Sequence, residues 1–200
     1  MRNHSEQHPI LYLASRSPRR VELLKQIGVD CITHPADIDE TLIPPESPEH
    51  YVTRLAQEKA EACLLGLSAE QRSQPVLAAD TTVAFASKVL GKPENDNDAR
   101  NMLAELSGST HQVHTAVALA YMNKIEVVLS TTKVEMIRFS EQQIAHYIAS
   151  GEHKDKAGSY GIQGLAGAWI KRIEGSYTGV MGLPICETAA LLRQHHIIQI

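Results

Sequence analysis

Cysteine is scarce and falls in no useful pattern. Cys31, Cys63 and Cys186 are far apart, odd in number and in no zinc spacing. That argues against a disulfide scaffold or a structural zinc site and leaves reduced core thiols of a cytoplasmic protein as the expectation. Positive charge is not in excess either. With 19 Lys and Arg against 23 Asp and Glu, the formal net charge is −4. No global field therefore draws the chain to nucleic acid or to an anionic membrane. Also missing are internal repeats, low-complexity tracts and any apolar stretch long enough to span a bilayer. Met1 to His8 are polar and precede only a short apolar run, so they read as neither a signal peptide nor an anchor. Residues 1–9 are expected to be a polar tail and residues 10–200 a single domain, whose 43% hydrophobic content supports a sizeable core.

What is present concentrates at a few turns. Ile10 to Ala14 read as a buried strand. Ser17 and Pro18 then mark a helix start, Val21, Leu23, Leu24 and Ile27 recur at helical spacing, and Gly28 supplies a stop. Ser15, Ser17, Arg19 and Arg20 therefore crowd one strand-to-helix turn, where unpaired backbone N–H groups and the helix dipole favour an anion. A capped helix with exposed arginines accounts for many such sequences. Four such groups in six residues favour a phosphate site, which the planar arginine fork suits.

Val29 to Thr33 read as a second strand, followed by Asp37, Asp39 and Glu40 beside Pro44-Pro45. Such acidic loop residues serve either as a solvated rim or as hard oxygen ligands for Mg²⁺. Ser47-Pro48 opens a long helix with Tyr51, Leu55, Ala56, Lys59, Ala62 and Cys63 on one face. Lys59 there is either a snorkelling stem or an inward-facing cation. Pro75 to Ala79 form an apolar run ending in Asp80-Thr81-Thr82. Asp80 is either the anchor of a turn or a partly desolvated base or metal ligand. Val83 to Ala86 and Val89-Leu90 form a hairpin, and Asp96 to Ser107 a helix. Two long strands, His111 to Met122 and Ile125 to Phe139, turn at Asn123-Lys124. His111 and His114 then face opposite ways and do not form a metal pair. Ser140 to Gln143 is a capping box for a helix ending at Ser150. The charged, glycine-rich loop from Gly151 to Gly164 can bring backbone close to a ligand. Trp169 to Ile173 and Tyr177 to Met181 read as a β-segment, and Pro184 to Arg193 as the last helix. The mixture indicates an α/β fold with a mixed sheet.

Taken together, these stretches resemble the Maf family of nucleoside triphosphate pyrophosphatases, in its dTTP/UTP branch. The resemblance runs from about Leu11 through Leu192. It rests on Ser15-x-Ser17-Pro18-Arg19-Arg20, Asp39-Glu40, Glu58-Lys59-Ala60, Ala79-Asp80-Thr81, Gly91-Lys92-Pro93 and Leu106-Ser107-Gly108. It continues through Asp155-Lys156-Ala157-Gly158, Tyr160-Gly161-Ile162-Gln163-Gly164 and Gly182-Leu183-Pro184. Only Arg16 stands where a small residue is common. The resemblance implies an elongated mixed sheet flanked by helices, two lobes with a central cleft, and hydrolysis between the α and β phosphates. It implies Asp80 as proton acceptor and a divalent cation, Mg²⁺ or Mn²⁺. On chemical grounds Asp80, with Glu40, would orient the water and help hold that metal, as base, ligand or both, while Arg19, Arg20, Lys59 and Lys92 would neutralise the triphosphate. Ser15, Arg20, Glu40, Lys59, Lys92 and Lys156 match the family's polar cleft positions. Arg19, Thr81 and Gln163 match those tied to base preference. It also implies a cytoplasmic protein, often a homodimer. Two alternatives differ in substrate or in class. One is the same chemistry on N7-methyl-GTP, against which Arg19, Thr81 and Gln163 argue. The other is a nucleotide-binding regulator of septum formation without turnover, which has no need of Asp80.

Overall fold

The computed structural model describes residues 9–199. Of the expected tail, only Pro9 lies within that range. The described strands are β1 (Leu11–Leu13), β2 (Cys31–Thr33), β3 (Val76–Phe85), β4 (Lys88–Leu90), β5 (Thr110–Tyr121), β6 (Lys124–Met136) and β7 (Ile170–Glu174). All join one mixed sheet in the order β2-β1-β3-β5-β6-β7, with β4 also on β3. β1 runs parallel to β2 and β3, and the remaining pairs are antiparallel. The described α-helices are α1 (Pro18–Gln26), α2 (Pro48–Gly66), α3 (Asp96–Leu106), α4 (Glu141–Ser150), α5 (Tyr177–Met181) and α6 (Ile185–Gln194). The α/β class with a mixed sheet is as expected.

Strand alternation divides the first lobe into two layers. Leu11, Leu13, Leu77, Ala79, Val117 and Leu119 pack with Leu23 and Leu24 of α1 and Leu191 and Leu192 of α6. The opposite face, Tyr12, Val76, Ala78, Ala116, Ala118 and Ala120, meets Val52, Ala56, Ala60 and Cys63 of α2. Alanine on both sides of that contact lets the helix lie close on the sheet. The second lobe is built on the far ends of β3, β5 and β6. Val83, Val113, Val134 and Met136 pack there with Leu103 and Leu106 of α3, Ile144 and Tyr147 of α4, and Trp169. Trp169 stacks on Phe139 with centroids 4.2 Å apart, worth about 0.5–1.5 kcal/mol beyond area burial.

Several elements differ from expectation. Tyr177–Met181 is α-helical, not β: Ser176 caps it by accepting from Gly179 N, and Gly182 ends it at φ +113. The strand before it begins at Ile170, because Leu165–Trp169 form a 3-10 segment. Ile10 is half exposed and outside β1. The β5–β6 turn sits at Met122-Asn123, both with positive φ, a conformation that matches strand twist in a two-residue turn. On α2 the buried stripe includes Val52 and Ala60, which leaves Lys59 at its edge and Ala62 only partly covered. The cysteines are thiols, but Cys186 is exposed and Cys31 only half-buried, so Cys63 alone is a core thiol. The Ser140 capping box is present, with Gln143 bonding back to Ser140 N.

One gap in the sheet positions the site. β3 pairs with β1 at Val76 and Leu77, and on the same side with β4 only from Val83 onward. Asp80 to Thr82 thus lie on a stretch of strand whose β1 edge is open, just past the end of β1. Ligands of α/β folds characteristically enter beyond the carboxyl ends of parallel strands.

Candidate active site

A cleft of about 1210 Å³ opens at that gap, and all ten predicted site residues line it. Their side chains divide into three groups, set by the elements that carry them.

The first group hangs from α1. Ser17 occupies the N-cap position with extended backbone, yet its side chain caps nothing. Ser15 instead accepts from Ser17 N at 3.1 Å and from Arg20 Nη1 at 3.0 Å. Arg20 also donates from Nε to Gly182 O at 2.8 Å and from Nη2 to Thr81 Oγ1 at 3.4 Å. Burial lowers its pKa below the usual arginine range. Arg20 is therefore a brace tying α1, β3 and the end of α5 together. Arg19, beside it, makes no hydrogen bond or ion pair among the described residues and faces the same cleft. Sequence spacing alone made the two guanidiniums look equivalent.

The second group is acidic and converges on one ammonium. Lys59 Nζ lies 2.6 Å from Glu40 Oε1 and 2.6 Å from Asp80 Oδ1. Lys92 Nζ stands 3.6 Å from the other Glu40 oxygen. Asp80 is only 8% exposed. Burial raises its pKa and outweighs the opposing pull of Lys59 and Arg20. Glu40 is more open. Burial raises its pKa too, but Lys59 and Lys92 more than reverse this and hold it below the usual range. The two carboxylates thus differ in proton affinity while sharing one cation. Helix α2 also holds the Glu40 loop from below, where Tyr51 Oη donates to Glu40 O at 2.8 Å and Arg54 to Thr41 O at 3.1 Å. Sequence reasoning put Tyr51 on the helix face but assigned it nothing here.

The third group comes from the loop between α4 and β7. Burial, and then Arg19, lower the Lys156 pKa, so two cations crowd each other across the opening. The loop is fixed by Gly158, whose N donates to Gly91 O at 3.1 Å. Gly158 has φ +64, and a Cβ there would meet Val83 Cγ1 at 2.9 Å, so the close approach needs glycine. That contact joins the Lys92 turn to the Lys156 loop. Gln163 is exposed on the cleft wall, with no bond to another described residue.

Thr81 closes the floor, its Oγ1 2.9 Å from Thr115 Oγ1. Thr115 was not anticipated: it follows a polar run on β5, Thr110 to Gln112 and His114, and only the β3–β5 register sets it opposite Thr81. His111 and His114 face opposite sides as expected: His111 Nε2 meets Tyr160 Oη at 2.7 Å and His114 Nδ1 meets Thr131 Oγ1 at 3.0 Å. Among the described residues no helix is long and apolar enough to cross a membrane, and no three His, Cys, Asp or Glu cluster as metal ligands.

Residues 10–195 match the family described as Maf-like protein. A protein of Methylobacillus flagellatus named dTTP/UTP pyrophosphatase is 58% identical over 183 residues, covering 92% of this chain and 91% of the relative. One of Nitrosomonas europaea with the same name is 50% identical over 195 residues, covering 92% and 93%. The solved Staphylococcus aureus Ham1 protein aligns with a TM-score of 0.44 and 16% identity, over 63% of this chain and 71% of that one, a likeness too slight to carry weight. The motifs that surround the cleft thus extend into a match spanning almost the whole chain, and the chain belongs to the Maf family.

Proposed function

We propose that this protein hydrolyses nucleoside triphosphates, dTTP and UTP foremost, to the monophosphate and pyrophosphate. The observation that carries the reading is one cleft in which the buried Asp80 and the more open Glu40 face Arg19, Lys92 and Lys156, in a chain whose relatives bear the name dTTP/UTP pyrophosphatase.

Water adds to the α-phosphorus, the bond from that phosphorus to the bridging oxygen breaks, and pyrophosphate departs. Asp80 accepts the proton of that water, and the burial that raises its pKa makes it a better base than an exposed aspartate. Arg19, Lys92 and Lys156 neutralise the phosphoryl oxygens and the leaving group. Ser15 and Arg20 hold the floor in shape through their bonds to Ser17 N, Gly182 O and Thr81. Gln163 and Thr81 face the base, where a primary amide offers both a donor and an acceptor.

The donor set suits a divalent cation. Glu40 and Asp80 already grip one cationic group, the Lys59 ammonium, through hard oxygens. Mg²⁺ needs only one or two carboxylates besides water and substrate phosphates. Bound there, Mg²⁺ or Mn²⁺ would supply charge neutralisation at the phosphates. Free thiols fit work in a reducing cytoplasm. The implied homodimer is checked by sedimentation. The activity is tested by incubating the protein with a panel of triphosphates and Mg²⁺: release of pyrophosphate from UTP and dTTP supports the reading, and none from any triphosphate refutes it.

A further inference from the structure

Thr115 lies on β5 directly opposite Thr81 on β3, is fully buried, and belongs to none of the motifs that carry the family resemblance. Its Oγ1 stands 2.8 Å from Gly179 O and 2.9 Å from Thr81 Oγ1. A hydroxyl has one proton, and a carbonyl oxygen only accepts. The Thr115 proton therefore goes to Gly179, and the bond between the two threonines must be donated by Thr81. Otherwise two oxygens would face each other lone pair to lone pair. The single proton of Thr81 is thereby committed inward. Of its two lone pairs, one faces Arg20 Nη2 at 3.4 Å, and the other is left for the cleft that Thr81 lines.

We infer that Thr115 is a specificity-positioning residue: by turning the Thr81 hydroxyl into an acceptor toward the cleft, it makes the site select a base edge that donates there. Uracil and thymine carry an imide N–H between two carbonyls. Cytosine presents a lone pair at the same ring nitrogen, and two acceptors facing each other leave both unpaired in a desolvated site. The inference rests on the proposed reading of dTTP and UTP as substrates and adds the residue that sets the polarity of the contact.

The test compares kcat/KM for UTP and CTP in the parent, Thr115→Val and Thr115→Ser. Valine keeps the shape and removes the hydroxyl. Gly179 O is not orphaned by the change, because Gly182 N also donates to it at 2.9 Å. Once released, the Thr81 hydroxyl can turn its proton toward cytosine as readily as its lone pair toward uracil. The UTP-to-CTP ratio should therefore fall about tenfold, mainly through KM, the size expected for one hydrogen bond gained and lost. Serine restores the donor chain and should restore the ratio. Thr115→Ala carries the same expectation as valine should the latter fail to fold. A parent that turns over CTP as readily as UTP overturns the substrate reading and the role of Thr115 with it. A parent that prefers UTP, with the ratio kept in Thr115→Val or with both substrates falling equally, overturns the role of Thr115 alone.

Discussion

Replacing Lys59 by methionine isolates what the acid pair does. The side chain keeps its length and apolar stem but loses the ammonium that sits 2.6 Å from both Glu40 and Asp80. Since each carboxylate oxygen is 2.6 Å from one nitrogen, the two oxygens lie no further apart than about 5 Å. Two unit charges at that distance repel by roughly 3 kcal/mol at an effective dielectric of about 20. The Glu40 side chain is 40% exposed, so solvent screens part of this. About 1–2 kcal/mol survives, a Tm decrease of about 2–8 °C for a chain of this size. A divalent cation relieves the same repulsion and binds the folded protein selectively, so added Mg²⁺ should recover more Tm in the variant than in the parent. The assay is thermal unfolding of both proteins in chelator and in millimolar Mg²⁺. The acid limb of kcat/KM should also move to higher pH, because Asp80 loses its nearest positive neighbour. Equal Tm values in chelator and equal Mg²⁺ shifts in the two proteins would refute the shared-cation account.

Asp80→Asn should lower kcat by about a hundred- to ten-thousand-fold while nucleotide binding persists, measured by single-turnover kinetics and equilibrium titration. Because the Asp80 pKa is raised in the folded protein, its stabilising contribution is present at low pH and is lost as pH rises through that pKa. Asparagine never ionises, so this variant should melt at or above the parent near neutral pH, with the difference narrowing in acid. Arg19→Ala should reduce kcat/KM by roughly 1.5–3 kcal/mol with little change in Tm, whereas Arg20→Ala should lose both, since only Arg20 braces Ser15, Thr81 and Gly182. Gln163→Glu replaces both amide donors with an acceptor-only carboxylate, and UTP turnover should fall more than any residual CTP turnover. Burial takes the His111 pKa from 6.5 down to about 4. The stability it contributes is therefore complete above pH 6.5 and is lost as pH falls toward 4, roughly 3 kcal/mol in all. His111→Gln, which still bonds Tyr160 but cannot charge, should flatten that acid slope.

Local patterns were the legible part of the fold. The β1–turn–α1 unit and the α4 capping box rest on residues within a few positions of each other, so spacing alone reports them. Tyr177–Met181 misled because β-branched and aromatic residues there favour strand. Its helix is set by the Ser176 cap and the left-handed Gly182, both visible, and by docking against β5 and β6, which is not. In the cleft, the types of residue were legible and their partnerships were not. Nothing local joins Glu40 and Asp80 to one lysine, or separates Arg19 from Arg20. Those distinctions come from how α2 and the end of α5 approach the open edge of β3. Thr115 escaped notice because its significance lies in the register that sets it across from Thr81.

The central claim is attack by water on the α-phosphorus of a pyrimidine triphosphate. It is tested most directly by letting the protein hydrolyse UTP with Mg²⁺ in water enriched in the heavy oxygen isotope, followed by mass spectrometry of the products. The account predicts UMP carrying the heavy oxygen and unlabelled pyrophosphate. Label in the pyrophosphate, or UDP and inorganic phosphate as products, would contradict it.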